Sequence, residues 1–238
     1  MGNEVNAALI ERYLAEHPAD AVAEAARLAV SNGYRRSLYL TAKTLLGYKD
    51  INRDTHGGII SALESPRARK LICVPRGCLK STIACVAYPI WLLLRNPNLR
   101  ILIDSELYTN SKNFLREIKA QLETPRMTSV FGTFKSDTNW NEGEITIRQR
   151  TIVKKEASIT VGGVGTTKVG QHYDVIIGDD YNSNKNSLTP EGCEKVINHY
   201  RYNQSILEPD GTYVVIGTRY SENDLIGFIL KNEIGDSK

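Results

Sequence analysis

Lys70-Leu71-Ile72-Cys73-Val74, followed at once by Pro75-Arg76-Gly77-Cys78-Leu79-Lys80-Ser81-Thr82, decides the fold. The first five residues make a short apolar run of the kind buried on both faces of a parallel sheet, and the apolar stretch from residue 81 to 94 suits a buried helix. A strand that turns through glycine and lysine directly into a helix is the context of a phosphate-binding loop. Such a loop works because backbone N–H groups at a helix N-terminus and one lysine surround the β- and γ-phosphate oxygens. Lys80 is placed to hold those oxygens, and the Ser81 hydroxyl to ligate Mg²⁺. The spacing departs from GxxxxGK[ST] at two places: Val74 stands at the first Gly and Leu79 at the second.

Working outward, further short apolar runs occur at residues 99–103, 174–177 and 212–216, with an amphipathic helical pattern at 110–122 and a shorter helix at 59–63. Strand, helix, strand, helix is the α/β signature, so a mainly parallel central sheet flanked by helices is expected. Residues 144–150 and 157–161 alternate polar and apolar and predict an antiparallel pair on the sheet margin. Residues 4–31 are rich in Ala, Glu and Leu at helical spacing, broken at His17-Pro18, and a third helix covers about 35–46 before Gly47. The expected organisation is a helical N-terminal appendage over 1–47 and a nucleotide-binding domain over 48–238.

Composition narrows the class. The 238 residues amount to roughly 1.6 domains at about 150 each. With 41% hydrophobic and 24% charged residues, collagen-like, disordered and disulfide-scaffold classes are excluded. Thirty Lys and Arg against 27 Asp and Glu leave +3, which neither requires nor forbids a nucleic-acid partner. The apolar run Ile83 to Leu94 contains Pro89 and is too short for the roughly 18 residues of a membrane span. Glu4 and Glu11 do not suit a signal peptide, and Cys73, Cys78, Cys85 and Cys193 have no CxxC spacing, so buried reduced thiols are expected.

The run Val175-Ile176-Ile177-Gly178-Asp179-Asp180 ends a second buried strand in two acids. Asp179 is the candidate Mg²⁺ ligand, and Asp180 the candidate residue that orients or deprotonates attacking water. A third strand delivers Gly217-Thr218-Arg219-Tyr220-Ser221-Glu222-Asn223-Asp224-Leu225 to the same sheet edge, where open α/β sheets bind ligands. ATP and Mg²⁺ are the cofactors these residues call for.

PRGxxKST, then Gly170-Gln171-His172-Tyr173-Asp174 leading into the acid pair, then IGTRYSENDL, resemble the large terminase subunit of tailed bacteriophages, over roughly residues 45 to 230. The resemblance implies an ASCE/RecA-like P-loop NTPase fold and ATP hydrolysis that powers double-stranded DNA translocation into a procapsid. Residues 75–82 would then contact nucleotide, with Arg76 sensing the γ-phosphate and His56 lying in the region that contacts adenine. Thr218 matches the coupling motif, with Arg219 beside it. Implied partners are double-stranded DNA, a portal protein and a small terminase subunit. The chain would assemble as a ring but be monomeric alone, in the bacterial host cytoplasm and transiently at the portal.

Relatives usually carry Gly or Ala where Leu79 stands; two readings fit, an ordinary φ with the side chain packed away from the phosphates or a strained loop that binds nucleotide poorly, and the first is favoured. A neighbour's arginine finger is also implied, with Arg126, Arg148, Arg150 and Arg201 all open as candidates. The Gly-rich stretch 162–172 is expected to be a loop near nucleotide or a neighbouring subunit, with Lys168 reaching phosphate or DNA. Since only 14 residues follow Asp224, the RNase H-like nuclease of such proteins is not expected in this chain. Two alternatives stay open: a helicase-like nucleic-acid-dependent ATPase, and a non-catalytic DNA-binding or docking module with a decayed site.

Overall fold

In a computed structural model, residues 18–166 and 168–234 are described. Seven strands form one sheet: β1 (Arg69–Cys73), β2 (Ile101–Ser105), β3 (Lys135–Trp140), β4 (Glu144–Ile147), β5 (Ile159–Gly163), β6 (Tyr173–Asp179) and β7 (Leu207–Gly217). Their order is β1-β7-β6-β2-β5-β4-β3. The first five in that order are mutually parallel, while β4 pairs antiparallel with both β5 and β3.

Helices cover both faces. They are α1 (Pro18–Arg36), α2 (Leu38–Leu40, continued by a π turn over Thr41–Leu45), α3 (Arg53–Glu64) and α4 (a π turn over Thr82–Ala87, then Tyr88–Arg95). The rest are α5 (Tyr108–Leu122), α6 (Pro125–Phe131), α7 (Pro190–Ser205) and α8 (Leu225–Ile229, then a π turn over Leu230–Ile234). No helix among the described residues is long and apolar enough to cross a membrane.

The period-2 geometry of strands sorts the core into two layers. On β6, Val175 and Ile177 join one cluster with Ile83, Ile90 and Leu93 of α4, whereas Ile176 joins the other with Val196 and Tyr200 of α7 and Leu225 of α8. Every residue of β2 and of β5 is buried, so their polar side chains Asp104, Ser105 and Thr160 lie inside as well, and the polar–apolar alternation of β5 does not mark a solvent-facing side. Leu38, Ala42 and Leu45 of α2, with Leu46, belong to the same cluster as α4 and the sheet, so the chain on both sides of residue 47 shares one core. Arg35 adds a bond from Nε to the Leu94 carbonyl, 2.8 Å. His17 lies outside the described residues.

The register brings the functional ends together. Cys73 pairs with Gly217, Ile216 with Asp179, and Asp179 with Ser105, so β1, β7, β6 and β2 all stop at one edge. β7 lies between the lysine-loop strand and the acid-pair strand. The expected margin hairpin is present as β4 and β5 and is extended by β3. Gly162 and Gly163, read from sequence as loop, are the last residues of β5. They fit there because a Cβ on Gly162 would stand 2.9 Å from Asp104 Oδ1, and one on Gly163 2.6 Å from the Tyr108 backbone nitrogen.

Candidate nucleotide site

The loop leaves β1 at Val74, whose N–H donates to the Gly217 carbonyl (3.2 Å). Thr218 Oγ1 donates back to the Val74 carbonyl (3.3 Å), so β7 fixes the base of the loop from both sides. Pro75, Arg76 and Gly77 are exposed, with Gly77 at φ +85°, and Cys78 is half-buried. The first helical hydrogen bond runs from Ile83 N–H to the Leu79 carbonyl (3.0 Å), and Lys80 and Ser81 begin α4. The N–H groups of this first turn have no partner within the helix and face the sheet edge, the arrangement that attracts phosphate.

Leu79 does not take the ordinary φ expected from its side chain. Its φ is +48°, the left-handed region, which costs a residue with a Cβ about 1 kcal/mol or more. The loop therefore keeps the backbone of the glycine in the GxxxxGK[ST] pattern without having the glycine. The half-buried side chain packs against the main core and offsets that cost. In Leu79→Gly, relief of about 1 kcal/mol of backbone strain opposes a similar loss from apolar burial and added chain entropy. Urea denaturation should show a change within about 1 kcal/mol. ATP affinity should shift by less than about tenfold, since the backbone already holds the turn; a larger gain would show that leucine distorts the loop.

At the end of β6, Ser81 Oγ donates to Asp179 Oδ1 at 2.8 Å. Lys80 Nζ lies 3.1 Å from Asp180 Oδ2. Lys80 and Asp179 are 6% and 4% exposed, so both side chains are largely withdrawn from water. Asp180 also sits at positive φ, +42°, and its Oδ1 is buried without a hydrogen-bond partner. Burial, and then the neighbouring Asp180 charge, push the Asp179 carboxyl up to about 7; the Ser81 hydrogen bond and Lys80 oppose this.

These residues fit Mg²⁺. Adjacent oxygens of an octahedron with bonds near 2.1 Å are about 3.0 Å apart, close to the Ser81–Asp179 separation. Mg²⁺ takes few protein ligands and fills the rest with water and phosphate.

The raised Asp179 carboxyl has a consequence for the metal-free protein. Between about pH 4 and pH 7 the folded state holds a proton that the unfolded chain has lost, so stability falls as pH rises through this window. Urea denaturation in EDTA should show that fall, and Asp179→Asn should flatten it. An equally steep profile in the variant would contradict the assignment.

Arg76 is exposed; its Nη2 donates to the Tyr220 hydroxyl, and its guanidinium carbon lies 5.8 Å from the Tyr220 ring centroid. Arg219 is exposed and bonds the Ser221 carbonyl (3.3 Å). The segment is shaped by Asp224, fully buried, which accepts from the N–H groups of Tyr220, Ser221 and Gly227. His56 is 4% exposed, and its Nδ1 lies 3.2 Å from the Asn52 nitrogen at the cap of α3.

Among the arginines, Arg126 donates to the Thr44 carbonyl (2.6 Å), Arg148 pairs with Asp137 (3.7 Å), and Arg150 bonds the Glu156 carbonyl (2.7 Å). Arg201 stacks on Phe228 (4.9 Å). Lys168, half-buried, donates its backbone N–H to Tyr202 Oη at 2.7 Å.

Sequence reasoning missed a buried polar set behind the acid pair: Asp104, Tyr181, His199 and Asn203, each at most 8% exposed. The signal available was Asp104 itself, a carboxylate closing an otherwise apolar strand at the ligand-binding edge.

No family model matches the chain, and no curated protein does. Among solved structures, the chain is similar to the large terminase ATPase domain of a Thermus phage, at 18% identity and a TM-score of 0.49, over 79% of this chain and 72% of that one. It is also similar to S. cerevisiae Dbp5 bound to Nup159, Gle1, IP6 and ADP, at 11% identity and a TM-score of 0.47, over 78% of this chain and 47% of that one. The strand order, the loop between β1 and α4 and the acids at the end of β6 define the fold from within as that of a P-loop NTPase, a mainly parallel sheet flanked by helices.

Proposed function

We propose that the protein is an Mg²⁺-dependent ATPase that drives double-stranded DNA into a viral procapsid, as the ATPase part of a large terminase subunit. The observation that carries the chemical half is the Ser81–Asp179 hydrogen bond at 2.8 Å beside a buried Lys80. One hydroxyl, one carboxylate and one lysine meet at the end of two strands separated by β7, as phosphoryl transfer by P-loop enzymes requires. The DNA-packaging half rests on the PRGxxKST, GDD and IGTRYSENDL resemblance.

Each residue has a definite task in this chemistry. Ser81 and Asp179 would hold Mg²⁺, which neutralises phosphate charge when bound. Lys80 leaves Asp180 for the β- and γ-phosphate oxygens. Asp180, released from Lys80, accepts a hydrogen bond from the attacking water; the water oxygen bonds to the γ-phosphorus as the bond to the β,γ-bridging oxygen breaks, and Asp180 takes the proton. Arg76, at the rim, leaves Tyr220 for the γ-phosphate. Because Tyr220 follows Thr218 and Arg219, that move links phosphate to the segment after β7.

Portal protein, small terminase subunit and a ring of copies in the host cytoplasm are the partners and setting of such a motor. A ring supplies a neighbour's arginine, worth roughly 10³ to 10⁵ in rate in other NTPases, so the isolated chain should be a weak ATPase. ATP hydrolysis measured with blunt double-stranded DNA, with single-stranded DNA and with neither tests the assignment. Stimulation by double-stranded DNA alone is expected; stimulation by single strands alone would favour the helicase-like alternative.

A further inference from the structure

Asp180 carries its carboxylate on a left-handed backbone, which persists at a residue with a Cβ only where the surroundings over-determine it. One restraint is the bond from the Asp180 N–H to the Ile216 carbonyl, 2.9 Å. The other is Tyr181, 2% exposed, whose ring lies over Gly178, where any side chain would run into it. The Tyr181 hydroxyl reaches a buried cluster that the nucleotide chemistry does not use.

That hydroxyl donates to Asp104 Oδ2 at 3.1 Å. The same oxygen takes His199 Nε2 at 2.6 Å and Asn203 Nδ2 at 2.6 Å. Asn203 Nδ2 is also 3.0 Å from Tyr181 Oη, and Tyr213 Oη lies 3.2 Å away. His199 meets the Tyr181 ring edge-on at 5.7 Å. The Gly165 N–H donates to His199 Nδ1 (3.4 Å), which assigns the ring proton to Nε2, facing Asp104. His199 and Asn203 stand four residues apart on one face of α7, so a single helix face delivers both donors.

An apolar filling would cover this end of the sheet at least as favourably as a buried carboxylate. Such a filling could not hold the Tyr181 hydroxyl in one place. We propose that Asp104, His199 and Asn203 are positioning residues which, by locking Tyr181, hold the left-handed turn at Asp180 and so aim its carboxylate at the water that attacks ATP. The kinetic part rests on the ATPase assignment; the holding of the turn does not.

Tyr181→Phe in the full chain keeps the ring on Gly178 and removes only the hydroxyl. Tyr173→Phe is the control: it removes another buried hydroxyl of the same region of chain, bonded to Gln171 Oε1 (2.6 Å) at the far end of β6. Expected for Tyr181→Phe are a fall in kcat of about tenfold or more with KM for ATP within about threefold, and hydrogen exchange at the Asp180 amide accelerated about tenfold relative to β2 amides. Tyr173→Phe should leave both within about twofold.

Unchanged relative exchange at Asp180 overturns the proposal whatever turnover does, as does accelerated exchange with kcat unaltered. Should the wild type not hydrolyse ATP, the functional assignment fails by itself, and exchange still decides whether the network holds the turn.

Discussion

Lys80→Ala is expected to remove ATP hydrolysis, by about 10³-fold or more, while the domain still folds. Among the described residues, Lys80 is the one cation paired with the acid pair at the loop end, 3.1 Å from Asp180 and 6% exposed. Electrostatic groups aimed at developing charge in a dry site contribute the most to catalysis, and one such donor is worth about 10² to 10³ by itself. The same side chain also draws the phosphates into place. Folding should survive because Asp180 is partly exposed, with 37% of its side chain open to water, and water can solvate it once the lysine is gone. Asp179 loses a favourable neighbour, so its carboxyl should titrate higher still. Phosphate release, with circular dichroism as the folding check, reads both; turnover within threefold of wild type would remove Lys80 from the site.

Asp180→Asn should separate binding from chemistry. The amide is isosteric, and asparagine tolerates the left-handed backbone that position 180 requires better than most residues. Loss of the general base is expected to slow the chemical step by about 10² to 10⁴. Nucleotide should bind at least as tightly as to the wild type, since Lys80 no longer has to leave a carboxylate to reach phosphate. Removing the Asp180 charge also eases the Asp179 carboxyl, whose raised titration comes second from that neighbour. Wild-type turnover in Asp180→Asn would mean that another group activates water; weakened binding would mean that the Lys80–Asp180 pair is not what nucleotide displaces.

Much of this arrangement is legible in the chain because parallel strands buried on both faces must be uninterrupted apolar runs. β2, β6 and the second half of β7 announce themselves in that way, and the polar ends of β2 and β6, Asp104-Ser105 and Asp179, mark the working edge; β1, expected to be buried on both faces, is the edge strand and leaves Arg69 and Cys73 exposed. α6 and α7 carry weaker apolar periodicity and are less legible, although Thr124-Pro125 and Thr189-Pro190 are helix starts in which the threonine caps and proline takes the first turn. β3 carries Lys135, Ser136, Asp137 and Asn139 and lies on the sheet margin, so no burial imposes an apolar pattern on it.

The φ of Leu79 was misread because residue type argues against a left-handed backbone, whereas the fold fixes it at the entry to α4. The Asp104 cluster was invisible for a different reason. Its members are spread over about one hundred residues of sequence, and only the β2–β6 register and the face of α7 bring them together.

The most direct test of the nucleotide site is phosphate release from ATP by the purified full chain, titrated with Mg²⁺ and run beside Lys80→Ala. Slow turnover that requires Mg²⁺, disappears in EDTA and is lost in Lys80→Ala is the expected result. Turnover that persists in EDTA or in Lys80→Ala, or no turnover at any Mg²⁺ concentration even with double-stranded DNA present, would contradict it.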